Sequence, residues 1–154
     1  MMVLTFQDSY ERNDHRNYKL DARYITHDFN LPRLLSLMKL SEIKNALRAE
    51  VICGHDQMEV NISGGGAADL MEDVLAAVAK GAVLLTGLTN NQVLSTAQIA
   101  GVLAIVIVRG KRPDANFIQS AISYGIPVLT TRYSLFVACG KLYMEGLRGL
   151  DGSW

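Results

Sequence analysis

Apolar and polar positions along the chain fall into alternating helical and extended patterns from Met38 onward. Leu40, Ile43 and Leu47 recur as one face of a short helix, with Ser41 placed to help cap it. Val51 to Cys53 reads as a short strand, and Met58, Val60 and Ile62 alternate as a half-buried one. The run Gly64-Gly65-Gly66 reads as a flexible turn that opens a helix over 67–80, striped by Leu70, Val74, Leu75 and Val78. Asp69, Glu72 and Asp73 then fall in its first turns, where the helix dipole favours negative charge. Gly81 closes that helix.

The rest of the chain repeats the alternation. Ala82 to Leu85 is an apolar strand, Asn90 to Ala100 a helix closed by Gly101, and Val102 to Val108 a central strand apolar on both faces. Asp114 caps a helix running to Tyr124, with Phe117, Ile118, Ala121 and Ile122 facing inward and Gly125 ending it. Pro127 to Leu129 is the next strand. A last helix, Tyr133 to Glu145, turns Leu135, Phe136, Cys139, Leu142 and Tyr143 inward. Strands apolar on both faces need cover on both sides. Roughly 20 residues per crossover suits parallel βαβ connections. The pattern predicts a three-layer α/β/α fold with a mostly parallel sheet.

Residues 1–37 differ from the rest. They hold ten charged residues, His15 and His27, and no glycine, while all thirteen glycines lie after residue 53. They keep no period for long, so 1–37 reads as a polar extension, 38–148 as the α/β domain and 149–154 as a tail. The stretch beginning MKLSEIKNAL at Met38 has the look of a protein start.

Composition then narrows the class. Of the 154 residues, 49% are hydrophobic and 19% charged, enough apolar content for a core and too little charge for disorder. Fifteen basic residues balance fifteen acidic ones, which leaves no global field to draw in nucleic acid or a membrane. The longest apolar run falls far short of a membrane span, and the N-terminus lacks the apolar core of a signal peptide. Two cysteines, Cys53 and Cys139, make no disulfide framework, so a reducing cytoplasm is the expected location.

Candidate chemistry follows from the fold class. Open parallel sheets bind ligands beyond the carboxyl ends of their strands. Three segments occupy that edge: Thr86 to Asn91, with Thr86, Thr89, Asn90 and Asn91; Arg109 to Asp114, with Arg109, Gly110, Lys111, Arg112 and Asp114; and Thr130, Thr131 and Arg132. Four cations, several hydroxyls and the starts of helices suit a phosphate or another anion. The competing reading makes Thr89, Asn90 and Asp114 ordinary helix caps and the cations solvated loop residues.

Other motifs carry less. Gly64-Gly65-Gly66 lacks the Lys-Ser/Thr of a Walker loop, and the carboxylates at 69, 72 and 73 would repel an anion there. Cys53, His55 and Asp56 have no second cluster to complete a zinc site. No nucleophile stands with a base and orienting acid at recognisable spacing. The expectation is therefore no catalytic residue, no metal and no cofactor.

The segments MKLSEIKNALRAEVICG, GGGAADLMEDVLA, LAIVIVRGKRPD and IPVLTTRYSLFVACGKLY, in that order, resemble the DRTGG domain family over 38 to about 147. The resemblance extends to the non-catalytic N-terminal domain of HPr kinase/phosphorylase, and to domains found within phosphate acetyltransferases and beside CBS pairs in some pyrophosphatases. It implies a regulatory or ligand-sensing module that self-associates as a homodimer, with no catalytic residues to carry over. The naming motif differs here. Thr86-Gly87-Leu88-Thr89 stands where the family places Gly-Asp-Arg, and Val108-Arg109-Gly110 where it places Thr-Gly-Gly. Arg109 thus adds a fixed cation in place of a glycine.

Three functional readings remain at this point. The first is a non-enzymatic module sensing a nucleotide or other anionic metabolite at the strand-end loops. The second is a protein-interaction subunit without a small ligand, using the N-terminal extension to capture its partner. The third is a phosphotransfer-related enzyme using Arg109, Lys111 and Asp114.

Overall fold

The computed structural model describes residues 37–78 and 80–149, so the N-terminal extension and most of the tail lie outside the described residues. The elements are β1 (Met38–Lys39), α1 (Leu40–Ala46), β2 (Glu50–Cys53), a 3-10 turn (His55–Gln57), β3 (Asn61–Ile62), β4 (Gly64–Ala67), α2 (Met71–Ala77), β5 (Ala82–Thr86), α3 (Asn91–Ala100), β6 (Ala104–Ile107), α4 (Ala115–Tyr124), β7 (Val128–Thr130) and α5 (Leu135–Met144).

The main sheet has the order β2-β7-β6-β5-β4. Neighbours from β7 to β4 pair parallel, while β2 runs antiparallel to β7. A two-stranded ladder of β1 and β3 stands apart. Alternate strand residues feed two cores, as the period of a strand requires. Val83, Leu85, Ala104, Val106 and Leu129 pack with α1 and α5 on one face. Leu84, Ile105, Ile107 and Val128 pack with α2, α3 and α4 on the other. The fold is the expected three-layer α/β/α arrangement, with β6 in the middle of the sheet.

Helix ends follow their local chemistry. The Asn90 and Asp114 side chains accept from the amides of Val93 and Phe117 at 3.3 and 2.8 Å, capping α3 and α4. Helix α1 begins one residue after Lys39, whose amide donates to the Glu42 carboxylate at 2.7 Å, so Ser41 lies inside the helix instead of capping it.

The largest departure from the sequence reading is at the triple glycine. Gly64–Ala67 is an edge strand in register with Ala82 to Leu85, and the helix starts only at Met71. Glycine permits this because neighbours crowd the strand. A Cβ on Gly66 would come within 2.5 Å of Val78 Cγ2, and one on Gly65 within 3.0 Å of Leu147 Cδ2. Within this shorter helix Met71 and Val74 are buried, while Leu75, and Leu70 just before the helix, are exposed. Ile122 of α4, and Phe136 and Tyr143 of α5, also face out, contrary to the inward stripes expected of them. Met58 and Val60 are half-buried outside any strand; only Asn61–Ile62 is extended.

Candidate functional site

Parallel strands β4 to β7 bring their carboxyl ends to one edge, and antiparallel β2 brings its amino end to the same place through the Glu50–Thr130 pairing. The expected residues divide there into two clusters.

The first cluster lies beyond β4, β5 and β6. Asp69, two residues past β4, gathers it together. Its Oδ1 accepts the Thr86 hydroxyl at 3.0 Å and the Gly87 amide at 2.5 Å, and its Oδ2 lies 3.3 Å from the Arg109 guanidinium. Burial opposes ionisation of this carboxyl, but the Gly87 amide, the Thr86 hydroxyl and the Arg109 charge outweigh it and hold Asp69 below its ordinary value. Thr86 is fully buried, and its oxygen also accepts the Leu88 amide at 3.2 Å. Lys111 reaches back to the Gly87 carbonyl at 2.6 Å. Arg109 and Lys111 are therefore both engaged with the protein itself. Arg109 and Gly110 both sit in the left-handed region, at φ 65° and 66°, so the loop doubles back after β6. The amides of Arg109 and Gly110 donate to the carbonyls of Tyr133 and Thr131 at 2.8 Å each.

The second cluster lies beyond β7 and surrounds a cleft of about 380 Å³, within the usual range of small-ligand sites. Of the residues named from the sequence, Gly110, Arg112, Thr130, Thr131 and Arg132 line it, together with Leu47, Arg48, Glu50 and Tyr133. Its floor is fixed by buried hydroxyls. Thr130 donates to the Lys111 carbonyl at 2.9 Å, and Thr131 to the Leu47 carbonyl at 2.7 Å. Three arginines face one carboxylate around the cleft. Glu50 pairs with Arg112, while Arg48 and Arg132 are exposed and form no ion pair among the described residues. Two guanidiniums with no ion pair among the described residues thus stand beside a third that is paired with Glu50.

Thr89, Asn90 and Asn91 sit at the start of α3 and Asp114 at the start of α4, outside the cleft lining. Asn90 and Asp114 spend their side chains on capping. Sequence reasoning missed Asp69, Arg48, Glu50 and Tyr133. Cys53 is buried beside the Ile126 carbonyl at 3.9 Å, and burial pushes its thiol pKa up. Among the described residues no group of three or more His, Cys, Asp or Glu is placed to hold a metal ion. Nor is any described helix long and apolar enough to cross a membrane.

Comparison with known proteins places this geometry in context. Residues 42–142 match the family model described as the DRTGG domain. No curated protein matches the chain in sequence. Among solved structures, the fold is similar to that of the CBS and DRTGG domains of the regulatory region of Clostridium perfringens pyrophosphatase, complexed with its activator diadenosine tetraphosphate. The TM-score is 0.58 at 18% identity, over 73% of this chain and 48% of that one. The chain thus spans about half the length of that neighbour, and the likeness is one of fold.

Proposed function

The chain belongs to the DRTGG domain family, and from that premise we propose that it is a non-catalytic regulatory module that senses a nucleotide or other anionic metabolite and works as a homodimer. The described residues form one domain of it, beginning near residue 38, with 1–37 as an appended segment. The observation that carries the sensing reading is the cleft beyond β7, where Arg48, Arg112 and Arg132 converge over a floor of satisfied threonines. The occurrence of this fold within a regulatory region that binds a nucleotide activator supports it.

The cleft suggests how sensing would work. An anion entering it meets Arg48 and Arg132 directly and competes with Glu50 for Arg112. Glu50 opens β2 and Arg112 lies in the β6–α4 loop, so the exchange loosens one tie between sheet edge and loop while the ligand makes another. The Asp69 cluster is the fixed part of the same edge, its cations already engaged.

Isothermal titration of the full chain with ATP, AMP, diadenosine tetraphosphate and inorganic phosphate tests the reading. Binding by at least one of them, weakened about tenfold or more by Arg48→Ala and by Arg132→Ala, is expected. Affinity unchanged in both variants removes the site assignment. Absence of binding by all four ligands at millimolar concentration removes the sensing reading in favour of a protein-interaction role.

A further inference from the structure

The cleft beyond β7 is lined by two pairs of chain neighbours, each made of one hydrophobic ring or chain and one guanidinium. Leu47 and Arg48 reach it from the end of α1, and Arg132 and Tyr133 from the segment entering α5. Thr131 ties Leu47 to Tyr133, donating to the Leu47 carbonyl at 2.7 Å and accepting the Tyr133 amide at 3.3 Å. Arg48 and Arg132 take part in no ion pair among the described residues. Guanidiniums so placed suit an anion. A bare anion, however, would leave Leu47 and Tyr133 unused, and small-ligand sites in general join an apolar wall to a few polar groups.

Tyr133 is the one aromatic among the described residues of the lining, and it is fixed from several sides. Its amide is held by Thr131, and its carbonyl accepts the Arg109 amide at 2.8 Å. It packs partly against the core beneath the sheet. Lys141, which is not part of the lining, lies over the ring at 4.9 Å from its centroid and braces it from outside the cleft. Covering the core is the ordinary task of such a ring, but that task needs no side open to a cleft. A ring already fixed loses little freedom when a planar group stacks on it. Every nucleobase has a face for that contact.

We propose that the cleft takes a single nucleoside phosphate, its base stacked on Tyr133 and its phosphate held by Arg48 and Arg132. Tyr133 is then the residue that selects nucleotides over sugar phosphates and inorganic anions. This assignment rests on the sensing reading above and names the ligand class and the specificity residue within it. Size limits the ligand: about 380 Å³ lies toward the lower end of small-ligand sites. It has room for one nucleoside with its phosphate and not for two joined through a phosphate chain. The arginines attract any ligand that carries the anion, while the ring adds affinity only where a base is attached, so the two contributions are separable.

Isothermal titration of the full chain separates them. The probes are the common ribonucleoside monophosphates and triphosphates, their baseless counterparts ribose phosphate and tripolyphosphate, and diadenosine tetraphosphate. At least one mononucleotide should bind about tenfold or more tighter than its counterpart. Tyr133→Leu keeps apolar cover over the core and removes the ring. It should erase that preference while changing the affinity of the counterpart less than about threefold, and Tyr133→Trp should retain the preference. Circular dichroism confirms that each variant is folded, and the wild-type comparison of nucleotide with counterpart stands whatever the variants do. Equal binding of the two in the wild type, weakened alike by Arg48→Ala, overturns the role of the base and leaves the anion site in place. Equal weakening of both by Tyr133→Leu shows a ring that only supports the fold and selects nothing. Diadenosine tetraphosphate binding about tenfold tighter than every mononucleotide overturns the single-nucleotide limit. No binding by any probe at millimolar concentration overturns the ligand class and the sensing reading together.

Discussion

The guanidinium of Arg109 occupies the space where a side chain on Gly87 would begin: a Cβ there would come within 1.7 Å of Nη2. The two residues follow neighbouring parallel strands, whose register pairs Thr86 with Ile107. Asp69 joins them, accepting the Gly87 amide and pairing with Arg109. Three consecutive strands of the sheet are thus tied together at their carboxyl ends by one carboxylate.

Gly87→Ala should displace the guanidinium and separate it from Asp69 while leaving the backbone in place. Arg109 and Asp69 are 47% and 39% exposed, so their pairing is worth at most about 1 kcal/mol. A thermal midpoint lowered by a few degrees is expected. In an Arg109→Ala background the same glycine substitution should be almost neutral. An equal loss in both backgrounds would mean that Gly87 is required for another reason.

Acid should dissolve this tie. Asp69 titrates below its ordinary value of 3.8 in the folded chain. A depressed carboxyl contributes stability that is complete above the unfolded pKa and is lost as pH falls through the folded one. At neutral pH, Asp69→Asn should lower the urea midpoint modestly. The gap between variant and wild type should then narrow as pH falls below about 4. A gap that stays constant from pH 7 to pH 3 would exclude the charge of Asp69 as its source.

Arg48 stands at φ 46°, a left-handed conformation that side chains other than glycine enter at a cost of roughly 1–2 kcal/mol. Arg48→Gly relieves that strain, partly offset by the greater freedom glycine gains on unfolding. A net stabilisation of up to about 1 kcal/mol is expected, together with weaker binding of ATP in the cleft. Scanning calorimetry and titration of one variant measure both effects. A destabilised Arg48→Gly would show that the arginine side chain supports the fold.

What the sequence made legible was set by short-range physics. The runs at 82–85 and 102–108, the caps at Asn90 and Asp114, and the glycines ending α3 and α4 are local signals, and each appears in the structure. Asp69 was misplaced because a triple glycine looks like a turn until Val78 and Leu147 pack against it, a contact that spacing does not reveal. Arg48 and Glu50 were missed for a topological reason. A search of carboxyl-terminal strand ends assumes every strand runs the same way, and β2 runs the other way, delivering its first residues to that edge. The outward turn of Phe136 and Tyr143 was hidden because a helix apolar all round gives no period from which to tell its inner side.

The floor of the cleft offers the last test. Thr131 is 2% exposed, and its hydroxyl donates to the Leu47 carbonyl at 2.7 Å while accepting the Tyr133 amide at 3.3 Å. It therefore joins the end of α1 to the segment entering α5, across the base of the cleft. Thr131→Val keeps the shape and strands both backbone groups, a loss of about 1–3 kcal/mol. Thr131→Ser retains the hydroxyl and should recover most of that stability in urea unfolding. Because Leu47 and Tyr133 both line the cleft, the valine variant should also bind ATP more weakly than the serine variant. If serine fares no better than valine on either measure, the methyl group and not the hydroxyl holds this corner together.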